Sequence, residues 1–229
     1  NDTEKVDRFF EMLQKEIRER TAILSDYGGD YNLYIKTSGN KMPMLIVIIN
    51  NYEAFSENYE DKYDDIFLML TREGTKCGIV FIITTSACND VRYRLAQNFR
   101  QKIALQLNNE DDYFNIFDGI GKKRPSNIFG RGLVRLEDIY EFQTAKICEP
   151  EKWNLNIKNK IDELNKIYKI KAKHIPTLPD KVEINDIKDY LKDLTAVPIG
   201  ISKKNLDVYT YNFKKSFVNI LTSPSQDTA

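Results

Sequence analysis

Met42-Pro-Met-Leu-Ile-Val-Ile-Ile-Asn-Asn-Tyr-Glu-Ala-Phe55 is the stretch whose reading decides the fold. Six apolar residues, Met44 to Ile49, stand in a row between Pro43 and the pair Asn50-Asn51. A run this short, rich in β-branched residues and without alternation, reads as a strand buried on both faces, of the kind found mid-sheet in α/β domains. Ligands of open parallel sheets sit outside the carboxyl ends of such strands. Asn50 and Asn51 therefore occupy the position where chemistry is expected.

Outward from that strand the chain alternates. Ile79 to Thr84 reads as a second buried strand ending in Thr85-Ser86, and Lys102 to Leu107 as a third. The three are expected in one parallel sheet, adjacent or nearly so, with Asn50 and Thr85 at the same edge. Upstream, Asp2-Thr3 can cap a helix in which Val6, Phe9, Phe10, Leu13 and Ile17 recur at helical spacing. It runs to about Leu24, with Lys15, Glu16, Arg18, Glu19 and Arg20 on its charged face, until Gly28-Gly29 breaks it. Acidic residues from Glu57 to Asp65 lead into a helix with Tyr63, Ile66, Phe67 and Leu70 inward. Asp90 can cap a helix over 91–99. Asn108 to Asp112 starts another, with Tyr113, Phe114, Ile116 and Phe117 packing. Gly119, Gly121, Pro125 and Gly130 mark a loop, and Leu133 to Tyr140 with Phe142 reads as a hairpin or closing strand. Strand–helix alternation of this kind implies an α/β domain, a mostly parallel sheet with flanking helices.

Beyond Cys148 the character changes. Trp153, Ile157, Ile161, Leu164 and Ile167 or Tyr168 make a helix with a polar outer face. His174-Ile-Pro-Thr-Leu-Pro179 is a rigid extended linker. A short helix over 185–192 precedes Val197 to Ile201, Asp207 to Tyr211 and Phe217 to Leu221, which look like additional β strands of a new sheet.

Composition narrows the function classes. Lys plus Arg and Asp plus Glu both number 34 in 229 residues, so no overall field recruits nucleic acid or a membrane surface. Cys77, Cys88 and Cys148 are odd in number and lack metal spacing, which suits free thiols in a reducing compartment. No metal site is expected. His174, the only histidine, lies in the linker. Gly121-Lys-Lys-Arg-Pro125 is too short a basic loop to make a DNA stripe. Cys88, near the expected strand edge, reads as a small buried filler. The opening at Asn1 reads as a piece of a longer protein.

The order of the pieces is similar to a known family. Pro43-Met-Leu-Ile-Val-Ile-Ile-Asn-Asn-Tyr-Glu-Ala-Phe55 and Arg72-Glu-Gly-Thr-Lys-Cys-Gly-Ile-Val-Phe-Ile-Ile-Thr-Thr-Ser86 resemble the Walker B strand and the following strand of FtsK/SpoIIIE ATPases. Asn98 to Leu105, Phe129-Gly-Arg-Gly132 and Glu141-Phe-Gln-Thr-Ala145 continue the pattern. The Phe-Gln-Thr-Ala ending and Ile175-Pro-Thr-Leu-Pro179 resemble the tandem modules of the type VII secretion coupling ATPase, the EssC/EccC kind. The resemblance implies a RecA-like P-loop NTPase fold over 1–148, the back half of one module. It makes 149–229 a connecting helix, linker and start of the next module.

It also implies a nucleotide edge formed by Asn50, Asn51, Thr84, Thr85 and Ser86, with ATP and magnesium as the family's cofactors. Here the sequence departs from the family, whose strand end carries Asp-Glu or Asp-Asn. An amide gives magnesium no anionic ligand and is a poor base. Asn219 to Ala229, where the next module's phosphate loop would fall, lacks the needed glycines and lysine. The expectation is a degenerate ATPase module, weak or inactive, in the cytoplasmic part of a cell-membrane secretion motor. Its partners would be other modules of the same chain, further copies in a hexamer, and secreted proteins, with no nucleic acid. Arg100 and Arg131 are the candidates for reaching a neighbour's nucleotide. The alternatives are an active ATPase whose catalytic groups lie outside this stretch, and an FtsK-like DNA translocase module.

Overall fold

The computed structural model describes residues 2–59, 61–146, 148–169, 171–191, 195–215 and 220. They form two compact units, Phe10–Ala172 and, separately, the residues up to Phe9 with those from Lys173 onward.

Helix α1 (Asp2–Leu24) buries Phe10, Leu13, Ile17 and Leu24 at the predicted spacing. Its Phe10 ring stacks on Tyr63 at 4.7 Å, within an aromatic core that includes Tyr52, Phe55 and Phe67. Arg20 departs from the expected charged face: it is only 5% exposed. Its guanidinium donates to Glu16 Oε1 at 2.9 Å, Cys77 O at 3.0 Å and Pro43 O at 2.9 Å. One side chain thus ties α1 to the entrances of two strands. After α2 (Tyr31–Thr37), capped by Asp30 through the Leu33 N–H, comes β1 (Leu45–Ile49).

Strand β1 pairs in parallel with β2 (Ile79–Ile83), from Leu45 opposite Ile79 to Ile49 opposite Ile83. Helices α3 (Tyr52–Tyr59) and α4 (Asp64–Gly74) form the connection. Helix α4 packs Phe67 on Phe81 at 5.6 Å, so Val47 and Ile79 lie buried on that side. The expectation of burial on both faces is corrected here. Ile46 and Ile48 are 57% and 65% exposed, and Met44 and Ile82 are exposed with them. Successive strand residues alternate sides, and among the described residues the packing helix lies on the Val47–Phe81 side. Gly78, just before β2, has φ +70° and Tyr31 against it: a Cβ there would meet the ring at 2.4 Å.

Past β2 the expected 91–99 helix shrinks to α5 (Tyr93–Ala96). Asn98 instead sends its amide nitrogen to Leu68 O at 3.1 Å and Thr71 Oγ1 at 2.8 Å. The third parallel strand is also corrected. Strand β3 is only Ile103–Ala104 and pairs antiparallel with β4 (Arg131–Arg135), not with β1 or β2. The Tyr113 hydroxyl accepts from Leu107 N at 2.9 Å and donates to Leu105 O at 3.0 Å, taking two backbone groups a longer strand would need. Helix α6 (Asp112–Ile116) supplies that tyrosine, while Phe114, expected to pack, is exposed beneath the Arg124 guanidinium at 4.8 Å. Strand β5 (Ile139–Gln143) completes the expected hairpin with β4. Its core gathers Ala104, Tyr113, Phe117, Ile120, Leu133 and Ile139. Helix α7 (Trp153–Ile167) follows, near its expected limits.

In the other unit, residues 174–179 belong to no helix or strand, and the Leu178 N–H donates to Glu4 Oε1 at 3.0 Å. The expected helix over 185–192 is a single turn, α8 (Ile184–Ile187), continued as a 3₁₀ turn to Tyr190. Strands β6 (Ala196–Ile201) and β7 (Val208–Asn212) pair antiparallel in a sheet of their own, with a register shift between Pro198 and Gly200. Of the strand expected over 217–221, residues 217–219 and 221 lie outside the described residues.

Candidate functional site at the carboxyl edge of two parallel strands

The in-register pairing of β1 and β2 brings Asn50 level with Thr84 at the carboxyl edge, one residue before the expected partner Thr85, which follows at the same end of the strands. The Thr84 N–H donates to Ile49 O at 3.1 Å and the Tyr52 N–H to Thr84 O at 2.8 Å, so the ladder continues past both strand ends. The Thr84 hydroxyl donates to Asn50 Oδ1 at 2.7 Å and accepts the Asn51 N–H at 2.9 Å. Asn51 itself has φ +56°, a left-handed conformation that asparagine tolerates better than most residues. Its Oδ1 accepts the Ala54 N–H at 3.3 Å and so caps α3. One asparagine is held by a threonine, and the other starts a helix.

Thr85 donates to Asp90 Oδ2 at 2.5 Å, and the Ala87 N–H reaches the same oxygen at 2.8 Å. Asp90, expected to cap the next helix, therefore closes the loop after β2. Ser86 lies exposed at its bend. Cys88 is half-buried near Asp112, and burial first, then that carboxylate, pushes its thiol up, away from nucleophilic character. Behind the edge, Tyr52 is 2% exposed, and burial first, then Asp64, raises its phenol to about 12. Arg92 bridges Asp61 and Asp64 beside it. That clasp was missed in the sequence, because Arg92 lies past α4 and β2 from the two aspartates and no local pattern links them.

Arg100 and Arg131 are not brought to this edge. Arg100 is exposed past α5, and Arg131 lies on β4 with Glu141 Oε1 at 3.9 Å. The donor set does not fit magnesium. Both asparagines are neutral, their side-chain oxygens already accept hydrogen bonds, and Asp90 Oδ2 carries two donors. Among the described residues no group of three histidines, cysteines or acids could hold a metal ion.

No family model matches the chain. The type VII secretion system protein EssC of Staphylococcus aureus (strain MRSA252) is 25% identical over 235 residues, covering 97% of this chain and 16% of that protein. The chain thus spans about a sixth of the length of this curated relative. Among solved structures, EssC (ATPases 2 and 3) from Geobacillus thermodenitrificans superposes with a TM-score of 0.81 at 20% identity, over 94% of this chain and 43% of that one. Thermomonospora curvata EccC (ATPases 2 and 3), in complex with a signal sequence peptide, gives 0.63 at 18% over 93% and 40%. The pCW3 conjugation coupling protein TcpA, with ATPγS, gives 0.55 at 18% over 72% and 49%. Motif order, sequence and superposition agree: the chain is EssC/EccC-like and has the RecA-like fold of those ATPase domains.

Proposed function

We propose that the chain acts as a degenerate ATPase module in a membrane-anchored type VII secretion motor, contributing assembly and substrate docking instead of hydrolysis. One observation carries this reading. Where hydrolysis needs carboxylates, two parallel strands end in amides and a hydroxyl bonded to one another. Residues 1–148 would serve as the back half of one module and 149–229 as the approach to the next. The motor would sit on the cytoplasmic face of the membrane; among the described residues no helix is long and apolar enough to cross it.

Substrate docking has a candidate surface. Ile103, Val134 and Tyr140 stand level across β3, β4 and β5, on the side opposite buried Ala104, Leu133 and Ile139. Leu136, Glu137 and Tyr140 line a shallow hollow at its end. An amphipathic helix from a secreted protein is the fitting occupant, and the EccC relative solved with a signal sequence peptide supports that class of partner. The motor would assemble as a hexamer, in which Arg100 is freer than Arg131 to reach a neighbour's nucleotide. The DNA-translocase alternative fares worse. In the basic loop, Lys123 meets Asp138 at 2.7 Å and Arg124 lies 3.8 Å from Glu110, which leaves little charge for phosphates.

The test is turnover in the full-length protein with the other modules disabled. No magnesium-dependent hydrolysis above background is expected. The double variant Asn50→Asp, Asn51→Glu should stay inactive, because glutamate at φ +56° distorts the start of α3. Robust hydrolysis by the wild type under these conditions would establish the alternative of an active ATPase that draws its catalytic groups from outside this chain.

A further inference from the structure

We propose that two copies of the chain dock on each other through α7, antiparallel, along one apolar stripe and about a two-fold axis near the middle of the helix. None of the strand-edge residues takes part. Helix α7 runs 15 residues, about 22 Å, and among the described residues it buries no side chain. Trp153, Ile161, Leu164 and Tyr168 are exposed, and Ile157 is half-buried. Tyr168 stands one residue past the helix, with its N–H still bonded to Leu164 O at 2.8 Å. At about 100° per residue these five side chains fall within about 80° of arc, the stripe by which a helix is ordinarily buried.

The spacing of the stripe identifies the occupant. From Trp153 to Tyr168 the steps are 4, 4, 3 and 4 residues, nearly the same read in either direction. When Trp153 is set level with the partner's Tyr168, Ile157 falls level with the partner's Leu164, and Ile161 meets its own counterpart at the axis. A two-fold contact requires this property, residue i meeting j and j meeting i. Charge then sets the direction. Lys160 and Glu163 flank the stripe on one side, 2.9 Å apart, and Asn154 and Asn165 flank it on the other. Antiparallel packing turns like flank to like flank, so Lys160 faces the partner's Glu163 and the four charges alternate in sign. Parallel packing would set the charged flank against asparagines. Such a contact closes at two copies and builds no ring, so it is separate from the proposed hexamer. Five side chains per copy make an interface at the small end of the range, with an expected Kd of about 10–100 μM.

Trp153 is the only tryptophan, so its fluorescence reads the stripe directly. The 229-residue chain is followed by sedimentation and by Trp153 emission from about 1 to about 500 μM, a range that brackets that Kd. Dimer should accumulate as the emission moves to the blue. Ile161→Glu should raise the Kd more than about tenfold and, because Ile161 is exposed, keep the urea midpoint of the dilute monomer. Lys160→Glu should weaken pairing about threefold, and adding Glu163→Lys should restore it. Under oxidised glutathione, Ile161→Cys should form a covalent dimer, whereas Asp162→Cys, outside the stripe, should stay at the background that the three native cysteines set. A chain that stays monomeric to the top of the range overturns the proposal. So does a dimer indifferent to Ile161→Glu, or equal cross-linking at 161 and 162.

Discussion

Arg20 and Gly78 are the two residues whose replacement should hurt the fold most for their size. The Arg20 guanidinium satisfies carbonyls at Cys77 and Pro43 that open the two parallel strands. Arg20→Ala leaves those acceptors and Glu16 without their partner and should cost about 3–5 kcal/mol. Arg20→Lys should recover only part, because one ammonium cannot span both strand entrances. Urea unfolding checks both. Gly78 combines φ +70° with the Tyr31 ring, so Gly78→Ala meets steric and conformational penalties together. It should destabilise by more than the roughly 1–2 kcal/mol of the backbone conformation alone, and Tyr31→Ala in the same chain should relieve part of the loss. The buried Tyr52 phenol is a third residue-scale test. A group raised to about 12 from an ordinary 10.0 stabilises the fold in its neutral form below pH 10, and that contribution disappears as pH rises toward 12. Tyr52→Phe should therefore flatten the loss of stability between pH 10 and 12, measured by denaturant titration.

At the scale of elements, the junction between β1 and α3 separates a structural from a chemical asparagine. Asn51 supplies a left-handed backbone and a cap in one residue. Asn51→Gly keeps the backbone and should cost only a few tenths of a kcal/mol, whereas Asn51→Ala loses both and should cost about 1–2 kcal/mol. Equal losses from the two variants in thermal unfolding would deny the backbone its part. The short β3 obeys a similar competition. Tyr113 takes the Leu105 carbonyl and the Leu107 amide into the core of the hairpin, so a stretch that reads as six strand residues forms two.

The whole chain contains a contact that sequence distance conceals. Glu4 accepts the Leu178 N–H at 3.0 Å and an Arg8 nitrogen at 3.0 Å. Those two bonds, the backbone one first, hold its carboxyl below the ordinary 4.5. A depressed carboxyl stabilises the fold above pH 4.5, and the contribution is lost as pH falls through the folded value. Exchange of the Leu178 amide should accelerate on acidification below that point in the wild type. In Glu4→Gln it should be fast already at neutral pH and respond less to acid.

Local pattern by itself determined the strand β1, the helical face of α1, the β4–β5 hairpin and the placement of Asn50 and Thr85 at one end of the two strands, though not the pairing of Asn50 with Thr84. Each depends on apolar periodicity or on a short parallel connection, and those act within a few dozen residues. The order of the motifs was equally legible and led to the EssC/EccC resemblance. Tertiary structure alone decided the burial of Arg20, the clasp of Arg92 on two aspartates and the capture of β3 by β4. It also decided which face of β1 is covered, and that Asn50 turns its oxygen toward Thr84. These outcomes depend on which carbonyl, ring or carboxylate arrives from a distant segment, and an uninterrupted apolar run or a lone polar residue reads the same whichever partner comes.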